Sequence, residues 1–276
     1  GSTWQKTTLA KGSSYSLPGV RDAEGYTFMG WSTKPMQSVS PQYEAEEKIT
    51  VNGNVDLYAV VFNRTTETDL TEDQLPQVDI YKYKQVIFVG DSRTEFMENV
   101  LTGMGESATK NVKFVCSAGK GLDWFTTTGW AQLYSIVQHD SNSILSKKTA
   151  VIFNFGVNDL SKSADYAEYY NWIAPQLKSK GCELYFMSVN PVNRLMLPNA
   201  GRADRSEAAV RSFNQYMKAN LSSAYTYIDM YSYLKSTGYS FASDHYGTGT
   251  VDDGLHYTTR TYKRIFAKCM DSLRVP

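Results

Sequence analysis

The feature that most constrains the fold is an alternation. Five short apolar, β-branched runs lie at 86–89, 112–115, 150–155, 183–189 and 225–228. Between and after them come stretches with helical apolar spacing at 93–101, 130–145, 164–180 and 205–221, and a last one covers 258–273. A strand that is apolar at consecutive positions is covered on both faces, and a strand–helix succession returns each strand parallel to the one before. The expected fold class is therefore α/β, a mostly parallel sheet with helices on both sides. Ligands of such sheets bind beyond the carboxyl ends of the strands, so the loops after these runs should carry the chemistry.

The first run ends in Gly90-Asp91-Ser92, a strand-to-helix corner where unpaired N–H groups favour a developing negative charge, although Asp91 or Ser92 would equally serve as a plain helix cap. The second ends in Ser117-Ala118-Gly119-Lys120-Gly121, whose glycines admit close approach to the backbone. The third ends in Gly156-Val157-Asn158-Asp159, and the fourth in Ser188-Val189-Asn190-Pro191-Val192. Near the carboxyl terminus stands Asp252-Asp253-Gly254-Leu255-His256-Tyr257. A hydroxyl, backbone and amide donors, and an imidazole with a carboxylate three residues earlier are the parts of acyl transfer. Asp244-His245 with Asp252, Asp253 and His256 is the competing metal cluster, but it lacks an H-x-x-x-H helix or a third patterned ligand. No Walker loop and no G-x-G-x-x-G follows a strand, so no nucleotide cofactor is expected, nor any metal.

Upstream, residues 1–62 hold only strand-like runs, at Ser14-Tyr15-Ser16-Leu17, 26–31 and 55–62, and read as a small β-rich domain with a thin core that needs a neighbour. Residues 63–78 turn Thr-, Glu- and Asp-rich and read as a linker, leaving 79–276 for the α/β domain. Charge excludes more than it suggests: 28 basic residues balance 28 acidic ones with no basic stripe, so neither nucleic acid nor a membrane surface is an expected partner. No run of some 18 apolar residues is present to span a membrane. Gly1-Ser2 reads as a cloning scar, so the lack of a signal peptide does not decide the compartment. The three cysteines, Cys116, Cys182 and Cys269, are far apart without C-x-x-C spacing and read as buried hydrophobes.

Two resemblances follow from these residues. Gly25-Tyr26-Thr27-Phe28-Met29-Gly30-Trp31-Ser32, then Asn54-Val55-Asp56-Leu57-Tyr58-Ala59-Val60, resembles the internalin B-type (Listeria-Bacteroides) repeat, which implies a β-grasp-like module on an exported bacterial surface protein. It departs from the family in ending Val61-Phe62 where a Trp often follows. Gly90-Asp91-Ser92, Gly119, Gly156-x-Asn158-Asp159 and Asp253-x-x-His256, in that order, resemble the four blocks of the SGNH (GDSL-type) hydrolases. That family implies a three-layer α/β/α esterase in which Ser92 is the nucleophile, His256 the base and Asp253 its orienting acid. It also implies an oxyanion hole made of Ser92 N–H, Gly119 N–H and the Asn158 amide. Ser117 stands where the second block usually has an Asn, which leaves Gly119 and Gly121 both open as donor.

The combination points to a serine ester hydrolase removing O-acetyl or other short acyl groups from a carbohydrate, extracellular or on the cell surface. Arg93, Trp124, Asn190 and Tyr257 are the expected substrate contacts, and Arg93 suggests a polar or anionic group beside the ester. A lipase or small-ester hydrolase, an acyltransferase using the same residues, and a non-catalytic adhesion or carbohydrate-binding protein are the alternatives. The N-terminal module would bind cell wall or glycan, or act as a spacer.

Overall fold

The computed structural model describes residues 4–35, 40–80, 82–140, 148–243 and 252–274. Asp244 and His245 of the metal alternative lie outside the described residues. The apolar runs form strands β5 (Tyr83–Gly90), β6 (Val112–Cys116), β7 (Lys148–Asn154), β8 (Cys182–Met187) and β9 (Tyr225–Ile228), all parallel in the order β6-β5-β7-β8-β9. Alternation explains why they are apolar throughout. In β5, Ile87 and Val89 enter the core on one face while Val86 and Phe88 enter the core on the other; in β7, Val151 and Phe153 oppose Ala150 and Ile152.

Among the described residues, eight helices accompany the strands: α1 (Ser92–Met104), α2 (Glu106–Thr109), α3 (Leu122–Trp124), α4 (Trp130–Asp140), α5 (Ser163–Ser179), α6 (Glu207–Asn220), α7 (Met230–Thr237) and α8 (Thr259–Ser272). Leu133 and Val137 of α4, Tyr170, Ile173 and Leu177 of α5, and Val210, Phe213 and Met217 of α6 cover one face. Met97 and Leu101 of α1, Leu234 of α7, and Ile265, Phe266 and Cys269 of α8 cover the other. The result is a three-layer α/β/α sandwich. The chain winds outward from β5 to β6, then crosses back to β7 on the other side of β5. The crevice this reversal opens lies at the carboxyl ends of β5 and β7.

Two details differ from the sequence expectation. Asp252-Asp253-Gly254 has turn composition, yet it begins a strand, β11 (Asp252–Tyr257), antiparallel to β10 (Phe241–Ser243) with an irregular register between them. The segment 63–78 has linker composition but is packed. Glu67 is buried under Ser240, Thr261 and Arg264, and Leu75 and Val78 join the core. The Glu67 carboxylate can be buried because these donors satisfy it.

The N-terminal module pairs β1 (Ser13–Ser16) with β3 (Lys48–Val51) and β2 (Tyr26–Ser32) with β4 (Tyr58–Asn63), all antiparallel. Its own core is four buried residues, Leu17, Phe28, Trp31 and Ala45. Consecutive β2 residues divide: Phe28 enters that small core while Met29, with Val60 and Phe62, enters the large one. So thin a core is completed by docking.

Candidate active site

The corner at the end of β5 is fixed by close packing. A Cβ on Gly90 would lie 2.0 Å from Thr94 Oγ1 and 2.8 Å from Asn154 O, so only glycine lets α1 start directly against β7. Asp91 caps the helix, its Oδ1 accepting from the Arg93 N–H at 3.0 Å, and burial pushes its carboxyl up to about 6. Ser92 is the first helical residue, so its N–H has no acceptor within the helix and sits at the positive end of the helix dipole.

His256 comes to this corner from β11. Its Nε2 lies 2.9 Å from Ser92 Oγ, and its Nδ1 lies 2.5 Å from Asp253 Oδ2. The other oxygen of Asp253 accepts from the N–H groups of Leu255 at 2.8 Å and His256 at 2.7 Å. All three side chains are buried, with Ser92 5% exposed, His256 1% and Asp253 0%. Burial alone would raise the Asp253 pKa. Hydrogen bonds from the His256 ring and from the two main-chain N–H groups outweigh it and hold the carboxyl below its ordinary range. An ionised carboxylate can only accept, so Nδ1 carries the ring proton and Nε2 is left to accept the Ser92 hydroxyl proton. Burial draws the imidazole below its ordinary value against the pull of Asp253, and the guanidinium groups of Arg93 and Arg202 push the same way as burial. Arg202 Nη2 stands 3.5 Å from Asp253 Oδ2, and Phe96 sets its ring edge-on to the imidazole at 4.6 Å.

The loop after β6 is pinned along its length. Ala118 N–H donates to Glu95 Oε2 at 2.6 Å, Lys120 O accepts from Asn158 Nδ2 at 2.8 Å, and Leu122 N–H donates to Asp159 Oδ2 at 2.9 Å. The two glycines differ. A Cβ on Gly121 would come within 2.3 Å of Asp159 Oδ2, so that residue is glycine for packing. Gly119 has φ +70°, open space beside its Cα, and an N–H without a hydrogen bond among the described residues. Asn158 is oriented from behind, where Arg205 Nη2 donates to its Oδ1 at 2.9 Å while the same guanidinium holds Val157 O and Ala203 O. Since a guanidinium only donates, the Asn158 oxygen must face it, and the NH₂ faces the 117–121 loop.

The expected substrate contacts fare differently. Arg93 is 3% exposed and turned inward, donating to Leu255 O at 3.0 Å, Asn190 O at 2.9 Å and Pro191 O at 2.9 Å, with its guanidinium 5.2 Å from the Tyr257 ring centre. Tyr257 is likewise core, 1% exposed, stacked on Phe241, with its hydroxyl on Pro191 O. Trp124 is half-buried against Phe155. Asn190 is buried, and its side-chain oxygen has no hydrogen-bond partner among the described residues. The sequence reading missed Glu95, Arg202 and Arg205, whose contacts join loops far apart in the chain and leave no local pattern.

Family profiles match the chain in two places: the Listeria-Bacteroides repeat domain over residues 1–60, and the GDSL-like lipase/acylhydrolase over residues 86–269. No curated protein matches. Similar solved structures include the acetyl xylan esterase AlAXEase, at 12% identity over 69% of this chain and 100% of that chain, TM-score 0.45. A member of the lipolytic protein G-D-S-L family from Veillonella parvula matches at 18% identity over 69% and 99%, TM-score 0.41. The C-terminal catalytic domain of Streptococcus pneumoniae peptidoglycan O-acetyltransferase A matches at 16% identity over 69% and 92%, TM-score 0.39. The second profile runs from within β5 to within α8, more than half the sequence, and takes in Ser92, Gly119, Asn158, Asp253 and His256. With a Listeria-Bacteroides repeat at its amino end, this chain belongs to the GDSL-like lipase/acylhydrolase family of ester hydrolases.

Proposed function

We propose that the protein removes short O-acyl groups, acetyl foremost, from a carbohydrate, through an acyl-enzyme on Ser92. The hydrogen-bonded chain from Ser92 Oγ to His256 Nε2 at 2.9 Å and from His256 Nδ1 to Asp253 Oδ2 at 2.5 Å carries this reading. As Ser92 Oγ bonds to the ester carbonyl carbon, its proton passes to His256 Nε2, and Asp253 stabilises the imidazolium. The oxyanion meets the N–H of Ser92, the N–H of Gly119 and the NH₂ of Asn158. Collapse breaks the bond to the alcohol oxygen, which leaves with the proton from His256. Water then repeats the sequence on the acyl-serine, releasing the carboxylic acid.

The enclosure of Ser92 favours a small acyl group. The carbohydrate rests on the module, since Listeria-Bacteroides repeats are a surface-associated bacterial domain type, and on that ground we place the protein outside the cell. The test is a panel of p-nitrophenyl acetate, butyrate and decanoate, O-acetylated xylan and O-acetylated peptidoglycan, run on the wild type and on Ser92→Ala. Acetyl release from a glycan, lost by about a millionfold in Ser92→Ala, is the expected result. A preference for decanoate would replace the carbohydrate reading with a lipase, and turnover retained by Ser92→Ala would remove Ser92 from the chemistry.

A further inference from the structure

The N-terminal module touches the site's own loop. Arg64, the residue directly after β4, places its Nη2 2.6 Å from Asp22 Oδ2 in the module and its Nη1 2.5 Å from Oδ2 of Asp252, the residue just before Asp253. Its Nε donates to Thr27 Oγ1 at 2.9 Å, so all three nitrogens are held. The Asp22 side chain is fully buried, and its second oxygen accepts from the Phe28 N–H at 3.0 Å and from Asn193 Nδ2 at 2.8 Å. Asn193 in turn donates its main-chain N–H to Gly254 O at 2.8 Å and its side-chain amide to Val20 O at 3.1 Å. The two residues flanking Asp253 at the start of β11 are therefore held from the module side: Asp252 through Arg64, and Gly254 through Asn193. Both holds meet on one carboxylate, Asp22.

A module that served only as a spacer would dock by any adequate patch. Here a part-buried ion pair, anchored on the fully buried Asp22, and a buried amide reach the two residues flanking the catalytic acid. We propose that the module is a working part of the hydrolase, with Arg64 and Asp22 as positioning residues that fix the segment 252–256 so that Asp253 and His256 align on Ser92. The inference rests on the proposed roles of Ser92, His256 and Asp253. A displacement of about 1 Å at a reacting group costs on the order of a hundredfold in rate, so a loose segment should show in kcat rather than in KM.

The experiment compares Arg64→Met, Arg64→Lys, Asp22→Asn and Glu44→Gln in the full chain, using p-nitrophenyl acetate and parallel thermal melts. Glu44 is a module residue paired with Lys235 at 2.8 Å on α7, away from the 252–256 segment, so Glu44→Gln loosens docking without touching it. Arg64→Met should lower kcat about 30- to 100-fold with KM within about threefold, and Asp22→Asn should lower it about 10-fold. Arg64→Lys, which keeps one ion pair, should recover part of the loss, and Glu44→Gln should keep wild-type kcat. Folded Arg64→Met and Asp22→Asn with kcat within twofold of wild type would overturn the inference. So would an equal loss in Glu44→Gln, which would reduce the contact to general docking. If Arg64→Met does not fold, the isosteric Asp22→Asn decides by the same criterion. Retained turnover in Ser92→Ala would instead mark the failure of the site assignment itself.

Discussion

Replacing Arg93 separates a strut from a substrate contact. In Arg93→Met the aliphatic stem remains, but the carbonyls of Leu255, Asn190 and Pro191 lose their donors inside the core. Each buried carbonyl left unpaired costs about 1–3 kcal/mol, so the three together set an upper bound of about 9 kcal/mol. Removing a buried cation also relieves its desolvation, worth several kcal/mol, and the net falls to roughly 3–5 kcal/mol, as for breaking other buried charge contacts. Unfolding entropy is about 2.1 cal/mol/K per residue, so a chain of 276 residues should lose about 5–9 °C in Tm.

Kinetics should follow the same geometry. Leu255 precedes His256, and the other two carbonyls belong to the loop after β8, so loss of the strut should reduce kcat about 10- to 100-fold and leave KM within about threefold. Arg93→Lys, whose ammonium is a point donor without the planar fork, should recover no more than about a third of the stability. Thermal melts and steady-state kinetics on a neutral and an anionic aryl ester give both readouts. An unchanged Tm together with a KM that rises for the anionic ester alone would refute the reasoning and return Arg93 to the substrate.

On its proposed role as an oxyanion donor, Asn158→Ala should lower kcat by about two to three powers of ten; an unchanged kcat would make Asn158 a loop brace through Lys120. Arg205→Met should lower kcat about 10-fold, since the Asn158 amide loses the hydrogen bond that sets which end faces the site, and an unaltered kcat would sink that role. Because burial and nearby guanidinium groups hold His256 below the ordinary imidazole value of about 6.5, kcat/KM should rise with pH through a midpoint below that value. Arg202→Met removes one of those cations and should move that limb to higher pH; a shift to lower pH would contradict it. Burial raises the Glu207 carboxyl to about 8, above its unfolded value, so the stability it contributes is complete below the ordinary carboxylate range and is lost as pH rises through about 8. Glu207→Gln should therefore raise Tm at pH 9 and leave it nearly unchanged at pH 4, and equal effects at both would exclude that titration.

The sheet was legible because β5, β7 and β8 are buried on both faces, which writes their apolar character into consecutive residues. The site blocks were legible for a related reason: each follows its strand directly, so locating the strand ends located Ser92, Gly119 and Asn158. The surroundings of Arg93 were not legible, because sequence shows a charge beside Ser92 but not the three carbonyls that converge on it from about 97 to 162 residues away. The packing of Tyr257 was hidden likewise, as its neighbours Phe241 and Pro191 become neighbours only in the fold. The segment 63–78 shows a further limit of composition, since a polar stretch reads as a linker until Arg264 and two hydroxyls are seen closing over Glu67.

The cations around the site share a property that bears on the chemistry. Arg93 and Arg205 bond mainly to neutral carbonyl oxygens rather than to carboxylates. A guanidinium held this way acts on its surroundings as a source of positive field, which also falls on the buried Asp91. One effect of this field falls on His256, where Arg93 adds to burial in keeping the ring neutral. The same field opposes the imidazolium that must form as Ser92 attacks. The opposition is met locally, because Asp253 Oδ2 lies 2.5 Å from Nδ1. Holding that short contact is the condition on which the whole arrangement works. Asp253 thus needs to be fixed by both its neighbours, Asp252 and Gly254, which is where Arg64 and Asn193 attach.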